Sequence, residues 1–172
     1  MTSELSPNAA GPWRASVVTD FCRSELFERT FDEGMGLVEE TAAYLDGAGR
    51  QESKMLSRTG ALCYAAESMK LTTRLMQVAS WLLVQRAVKE GNMAPGDACE
   101  DRYRLREGPL EEHMEGVGEL PPGLMQLIDR SHRLYDRIHH LDRRMYIDQT
   151  EEEPPHPVLS QHEMLKAAFG RE

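Results

Sequence analysis

At 172 residues the chain fits one domain with a sizeable core, and 40% hydrophobic with 28% charged residues is ordinary for a soluble protein. A formal net charge of -9 argues against wholesale binding to nucleic acid or insertion at an anionic membrane. Cys22, Cys63 and Cys99 are odd in number and far apart, so they fit neither a disulfide framework nor a zinc-site spacing, and read as reduced thiols.

The N-terminal run MTSELSPNAAGPWRAS lacks both the basic start and the apolar core of a secretion signal, so a cytoplasmic protein is expected. Residues 1–18 show no periodicity and read as a flexible arm. A first helix is predicted over 20–46, with Phe27, Phe31, Val38, Ala42 and Leu45 inward and Gly34 and Gly36 as weak points. Gly47 and Gly49 are expected to end it in a left-handed cap.

A second helix is predicted over 53–90, capped by Ser53 and stopped at Gly91. At 1.5 Å per residue it would run about 55 Å, longer than any neighbour could cover. Leu62, Ala65, Met69, Thr72, Met76, Ala79 and Leu83 recur at steps of three and four and read as its inner face. Leu71, Leu75, Val78 and Leu82 form a second seam, with Trp81 and Val88 lying outside both. A helix apolar over so much of its circumference needs covering on several sides. The strip a three-helix bundle leaves uncovered, with Leu71, Leu75, Trp81 and Val88, is the candidate surface for a protein partner.

Between Asn92 and Gly123 the pattern weakens. Pro95 is expected to open a short helix carrying Ala98, Tyr103 and Leu105, and residues 106–121 read as an exposed acidic loop. The third helix is predicted over 122–146. Its seam is Leu124, Leu127, Ser131, Leu134, Ile138, Leu141 and Met145, and its solvated face carries Arg130, Arg133, Arg137 and Arg144 among Asp129, Asp136 and Asp142. Residues 147–172 read as a disordered acidic, proline-rich linker followed by a short apolar tail. In that tail Val158, Leu159, Met164, Leu165 and Phe169 are candidates for docking on a partner. The expectation is therefore an all-α, antiparallel three-helix bundle with a long central second helix.

Chemistry finds little support. His132, Asp136 and His140 share one helix face without an identifiable fourth ligand, so surface histidines explain them better than a metal site. Ser68 and Lys70, two apart on a helix, point different ways and cannot act as nucleophile and base. Glu67 has Lys70 three residues on, which favours a surface ion pair over a raised-pKa acid. Neither a catalytic residue nor a cofactor is expected.

The run ESMKLTTRLMQVASWLLVQRAV, residues 67–88, resembles the signature block of the regulator of CtrA degradation (RcdA) family. Supporting blocks are Glu39–Asp46, Leu120–Pro121, and the pattern Leu127, Ile128, Ser131, Leu134, Tyr135, Arg137, Ile138, Leu141 and Asp142. The resemblance implies a dimeric three-helix bundle without enzymatic activity that acts as an adaptor of the ClpXP protease at a cell pole. ClpX would be primed by the factor CpdR. Cargo would include PopA, a cyclic-di-GMP-binding adaptor that delivers CtrA, and the tail would serve tethering. The alternative is a helical polar scaffold with no direct part in delivery.

Overall fold

The computed structural model describes residues 12–108 and 116–146. Among the described residues five helices follow one another: α1 Pro12–Cys22, α2 Glu25–Asp46, α3 Ala48–Ser53, α4 Arg58–Lys89 and α5 Pro122–Tyr146. The described residues between α4 and α5 include single turns of 3-10 helix at Asp97–Cys99, Asp101–Tyr103 and Val117–Glu119.

Local chemistry sets most of these boundaries. Ser24 breaks the first helical stretch and caps α2, its hydroxyl accepting from the Phe27 amide at 3.2 Å, with Glu25 and Glu28 favourably placed in the first turn. Ser57, not Ser53, caps α4, accepting from the Gly60 amide at 3.0 Å. Its own amide and hydroxyl donate to Glu119, 62 residues away, at 3.3 and 2.9 Å. A capping box usually draws that glutamate from the helix's third position. Here that position is Gly60, and a Cβ on it would meet the Glu119 carboxylate at 2.6 Å. The missing side chain makes room for a carboxylate from the far connection.

The end of α4 follows expectation. Gly91 takes φ 76°, and the Asn92 and Gly91 amides return to Ala87 and Val88 carbonyls at 2.8 and 3.1 Å, a Schellman closure. Gly47 differs from expectation: its φ is -107°, and the chain passes straight into α3 instead of reversing through a left-handed cap. The start of the fold differs too. Residues 12–18, expected in a flexible arm, lie in α1, which fixes Val18 and Cys22 in the core. Sequence periodicity missed α1 because it is short and barely amphipathic.

The three long helices form an all-α bundle. Helix α4, with 32 residues, is the longest at about 48 Å. Contacts along α4 and α5 advance together, Arg74 with Ser131, Trp81 with Asp142 and Gln85 with Tyr146, so these two helices run in the same direction. Ion pairs Arg130–Glu40 and Arg137–Glu33 set α2 antiparallel to α5. Such exposed pairs contribute at most about 1 kcal/mol each, and their use is register. The connection from Glu90 to Pro121 must therefore carry the chain back along the bundle. Ala98 and Cys99 are buried on its first half, and Leu120, within the 106–121 stretch expected to be exposed, is buried too. Residues 109–115 lie outside the described residues.

The α5 seam is as predicted, with Leu124, Leu127, Ser131, Leu134, Ile138 and Met145 buried and Leu141 partly so. Asp142, expected on the solvated face, is 2% exposed. On α2, Gly34 packs against α4, and a Cβ there would meet Leu82 Cδ1 at 2.5 Å, whereas at Gly36 it would meet nothing within 4 Å. Gly36→Ala should therefore stabilise by about 0.5–1 kcal/mol through helix propensity. Gly34→Ala gains the same propensity but must displace a fully buried leucine, an overpacking cost of about 1–3 kcal/mol. Urea unfolding of both variants should move the midpoint in opposite directions.

Candidate interaction surface

Two faces of α4 compete for the interior. The buried face is Leu71, Arg74, Leu75, Val78, Trp81, Leu82, Gln85 and Val88. The seam Leu62, Met69, Met76 and Leu83 is left outside, at 63%, 72%, 64% and 53% exposure. This reverses the expected assignment. Leu71, Leu75, Trp81 and Val88, the residues expected on a dimer or cargo surface, are only 0%, 4%, 2% and 8% exposed and cannot present one.

The reason is a set of buried polar side chains whose partners come from elsewhere in the chain. The Trp81 indole N–H donates to Asp142 Oδ1 at 2.9 Å. Arg104, from the crossover, donates to both oxygens of Asp142 at 3.1 Å through Nε and at 2.7 Å through Nη2. The Leu105 amide adds a longer contact at 3.4 Å. Phe21 of α1 covers the indole from the other side, ring centres 5.8 Å apart. Next to this cluster, Cys22 Sγ donates to Gln85 Oε1 at 3.5 Å, Gln85 Nε2 to Tyr146 Oη at 3.4 Å, and that hydroxyl to the Ala98 carbonyl at 3.4 Å. Arg74 donates to Ser131 Oγ at 2.9 Å. Buried polar groups of this kind persist only when paired. Here four segments supply the pairing.

None of this network is poised for catalysis. Burial pushes the Cys22 thiol up to about 11 and raises those of Cys63 and Cys99, so the reactive thiolate is disfavoured at all three. Burial likewise raises the Tyr146 phenol, keeping it a neutral hydrogen-bonding group. Glu67 pairs with Lys70 at 3.0 Å, as its spacing suggested. Among the described residues no group of three His, Cys, Asp or Glu side chains is placed to hold a metal ion, His132, Asp136 and His140 included. No helix among the described residues is long and apolar enough to cross a membrane.

What the surface offers is apolar area. Leu62, Met69, Met76 and Leu83 recur at every seventh residue, so they lie almost in line, about 10 Å apart along α4. Between them are Ala65, Thr72 and Ala79, flanked by Ala66, Thr73 and Ser80. No charged side chain falls within this set, and depletion of charge is the compositional mark of an interface centre. Methionine adds an adaptable, polarisable contact. A hollow of about 280 Å³ opens beside the seam between α2 and α4, lined by Val38, Ala42, Leu45, Leu75, Met76 and Ala79. On the opposite side a cleft of about 320 Å³ is lined by Thr73, Met76, Gln77 and Val84 and by Arg102, Arg104 and Arg106 of the crossover. Met76 is the ridge between the two. The tail candidates Val158, Leu159, Met164, Leu165 and Phe169 lie outside the described residues.

A helical bundle with a long uncharged apolar seam along its longest helix is a protein-interaction module in form. A family model described as a protein of unknown function (DUF1465) matches residues 18–169. The crystal structure of RcdA from Caulobacter crescentus CB15 is 64% identical, covering 76% of this chain and 99% of that one, with a TM-score of 0.64. No curated protein matches. The chain belongs to this family, that of the regulator of CtrA degradation, RcdA.

Proposed function

We propose that this chain is a non-enzymatic adaptor that tethers cargo to the primed ClpXP protease for regulated degradation in the cell cycle. Its cargo includes CtrA, reached through the cyclic-di-GMP-binding adaptor PopA, and priming falls to CpdR. The observation that carries this reading is the 64% identity to RcdA over 99% of its solved chain. The uncharged seam supports it, since an adaptor works through surfaces. Co-localisation at a cell pole belongs to the same reading.

The test is reconstitution of cargo, ATP, protease and priming factor, with and without this chain. Faster cargo loss with the chain is expected, and an unchanged rate overturns the proposal. Within it the tail, Val158 to Phe169, tethers the chain to the primed protease. Deleting residues 151–172 should leave helicity and cargo binding intact while abolishing the stimulation. Undiminished degradation would sink the tail's role.

The seam itself we assign to a second copy of the chain. Its order is palindromic: Leu62, Met69, Met76, Leu83 outside, with Ala65, Thr72, Ala79 between. Two α4 helices crossing antiparallel near Thr72 would oppose Leu62 to the partner's Leu83 and Met69 to the partner's Met76. A two-fold interface must be self-complementary in this way. The small residues allow the backbones to approach. Met69→Lys with Met76→Lys should change stability by no more than about 0.5 kcal/mol, both side chains being exposed. Self-association in sedimentation should weaken at least about tenfold, because two charges enter an apolar interface. Retained association would move the interface elsewhere.

A further inference from the structure

The cleft on the crossover side of the seam differs from the rest of the surface. Arg102, Arg104 and Arg106 alternate along the crossover and all line it, in a protein whose formal net charge is -9. Arg104 is committed to Asp142 at 2.7 Å. Arg102 has a local pair with Glu100 at 2.8 Å and leans on Tyr103, while most of its side chain stays in solvent, 65% exposed. Arg106 is exposed and its guanidinium has no ion pair among the described residues. At the inner wall Gln77 donates to the Glu107 carbonyl at 3.2 Å, yet its own buried Oε1 lacks a donor. The cleft thus offers one guanidinium, that of Arg106, without an ion pair among the described residues, a second, that of Arg102, shared with the exposed-side pair to Glu100, and one acceptor that an incoming backbone N–H would satisfy.

The position of Tyr146 points to the occupant. Tyr146, the last residue of α5, has its ring beneath the Arg104 guanidinium, 4.5 Å from centroid to Cζ. The segment that follows is Ile147, Asp148, Gln149, Thr150, Glu151, Glu152 and Glu153. Seven residues reach at most about 25 Å when extended, and Arg102 and Arg106 each lie within about 7 Å of chain from Arg104. The acidic triplet begins within reach of the arginine cleft, and a short tether gives it an effective concentration of about mM. We infer that the acidic segment Asp148–Glu153 docks in cis on Arg102 and Arg106, seating the chain's C-terminal extension along the crossover side of the α4 seam. An extension held there lies beside Met76 and Val84, so it borders whatever covers the seam. Its hold weakens as salt shortens the screening length to about 3 Å near 1 M.

Amide hydrogen exchange on the full-length chain tests this whether or not the chain delivers cargo. At low salt the amides of residues 101–107 should be protected about three- to tenfold more than in the Glu151→Lys, Glu152→Lys, Glu153→Lys variant, and 1 M salt should erase the difference. Arg102→Glu with Arg106→Glu should lose the same protection, and combining all five reversals should restore it. Global stability should hold throughout, since Arg102 and Arg106 are exposed. Equal exchange in wild type and the triple variant, or no restoration in the combined one, overturns the inference. Mixing the arginine-reversed chain with the glutamate-reversed chain pairs an intact segment with an intact cleft only in trans. Protection regained in that mixture overturns docking in cis.

Discussion

Trp81→Ala should lower the stability of the bundle by about 3–5 kcal/mol, the usual cost of deleting a large buried aromatic. Trp81 is 2% exposed, faces Phe21 at 5.8 Å and gives its indole proton to Asp142. Truncation therefore leaves a cavity and removes one donor from a buried carboxylate at once. A domain of this kind has only about 5–15 kcal/mol in total, so the loss should be large enough to populate unfolded chain on mild heating. Urea unfolding should show a lower midpoint with the slope unchanged, because the surface exposed on unfolding is nearly the same. Trp81→Phe should fall between, keeping apolar bulk while depriving Asp142 of a hydrogen bond, at about 1–3 kcal/mol. Full stability in Trp81→Ala, with self-association lost instead, would return Trp81 to the surface.

The second large effect is expected at Asp142. Its carboxylate receives the Trp81 indole, both donor groups of Arg104 and the Leu105 amide. Asp142→Ala leaves a mostly buried guanidinium without its counter-charge, a situation that costs about 3–5 kcal/mol. The damage should be directional. Arg104 and Leu105 belong to the crossover, so amides of residues 97–108 should exchange faster than those of α2. Pairing Asp142→Leu with Arg104→Met removes both charges together and should cost clearly less than Asp142→Ala, since a buried ion pair contributes little net stability. A double variant as unstable as the single would mean that Asp142 acts mainly through Trp81. Trp81 and Asp142 touch, so their effects will not add, and a double-mutant cycle measures the coupling.

The two variants bear on the same question, which face of α4 is inside. Both seams have the three-four spacing, and both are built from Leu, Met, Val, Ala and Thr. By residue type, Leu62, Met69, Met76 and Leu83 make as good an inner face as Leu71, Leu75, Val78 and Leu82. The buried seam even reads as the poorer choice, because Arg74 and Gln85 lie in it. What tips the balance is non-local. Ser131 on α5 accepts from Arg74, Cys22 on α1 and the phenol of Tyr146 pair with Gln85, and Asp142 on α5, itself held by Arg104 of the crossover, accepts from the Trp81 indole. A periodic pattern carries no information about a hydrogen bond closed 57 or more residues away.

Sequence alone establishes that the protein is helical, where α5 begins and where α4 stops, because proline, glycine and apolar spacing act within a turn or two of the chain. It also showed that α4 has more apolar surface than two neighbours can hide, and it carried the family likeness in residues 67–88. That α1 forms and covers Trp81, that Ser57 caps α4 with help from Glu119, and that Asp142 is interior emerge only in the folded chain. The same holds for the direction of the apolar surplus, which faces outward through Leu62, Met69, Met76 and Leu83. Each of these turns on partners distant in sequence, and pairing energy between distant groups exists only once the chain has closed around them.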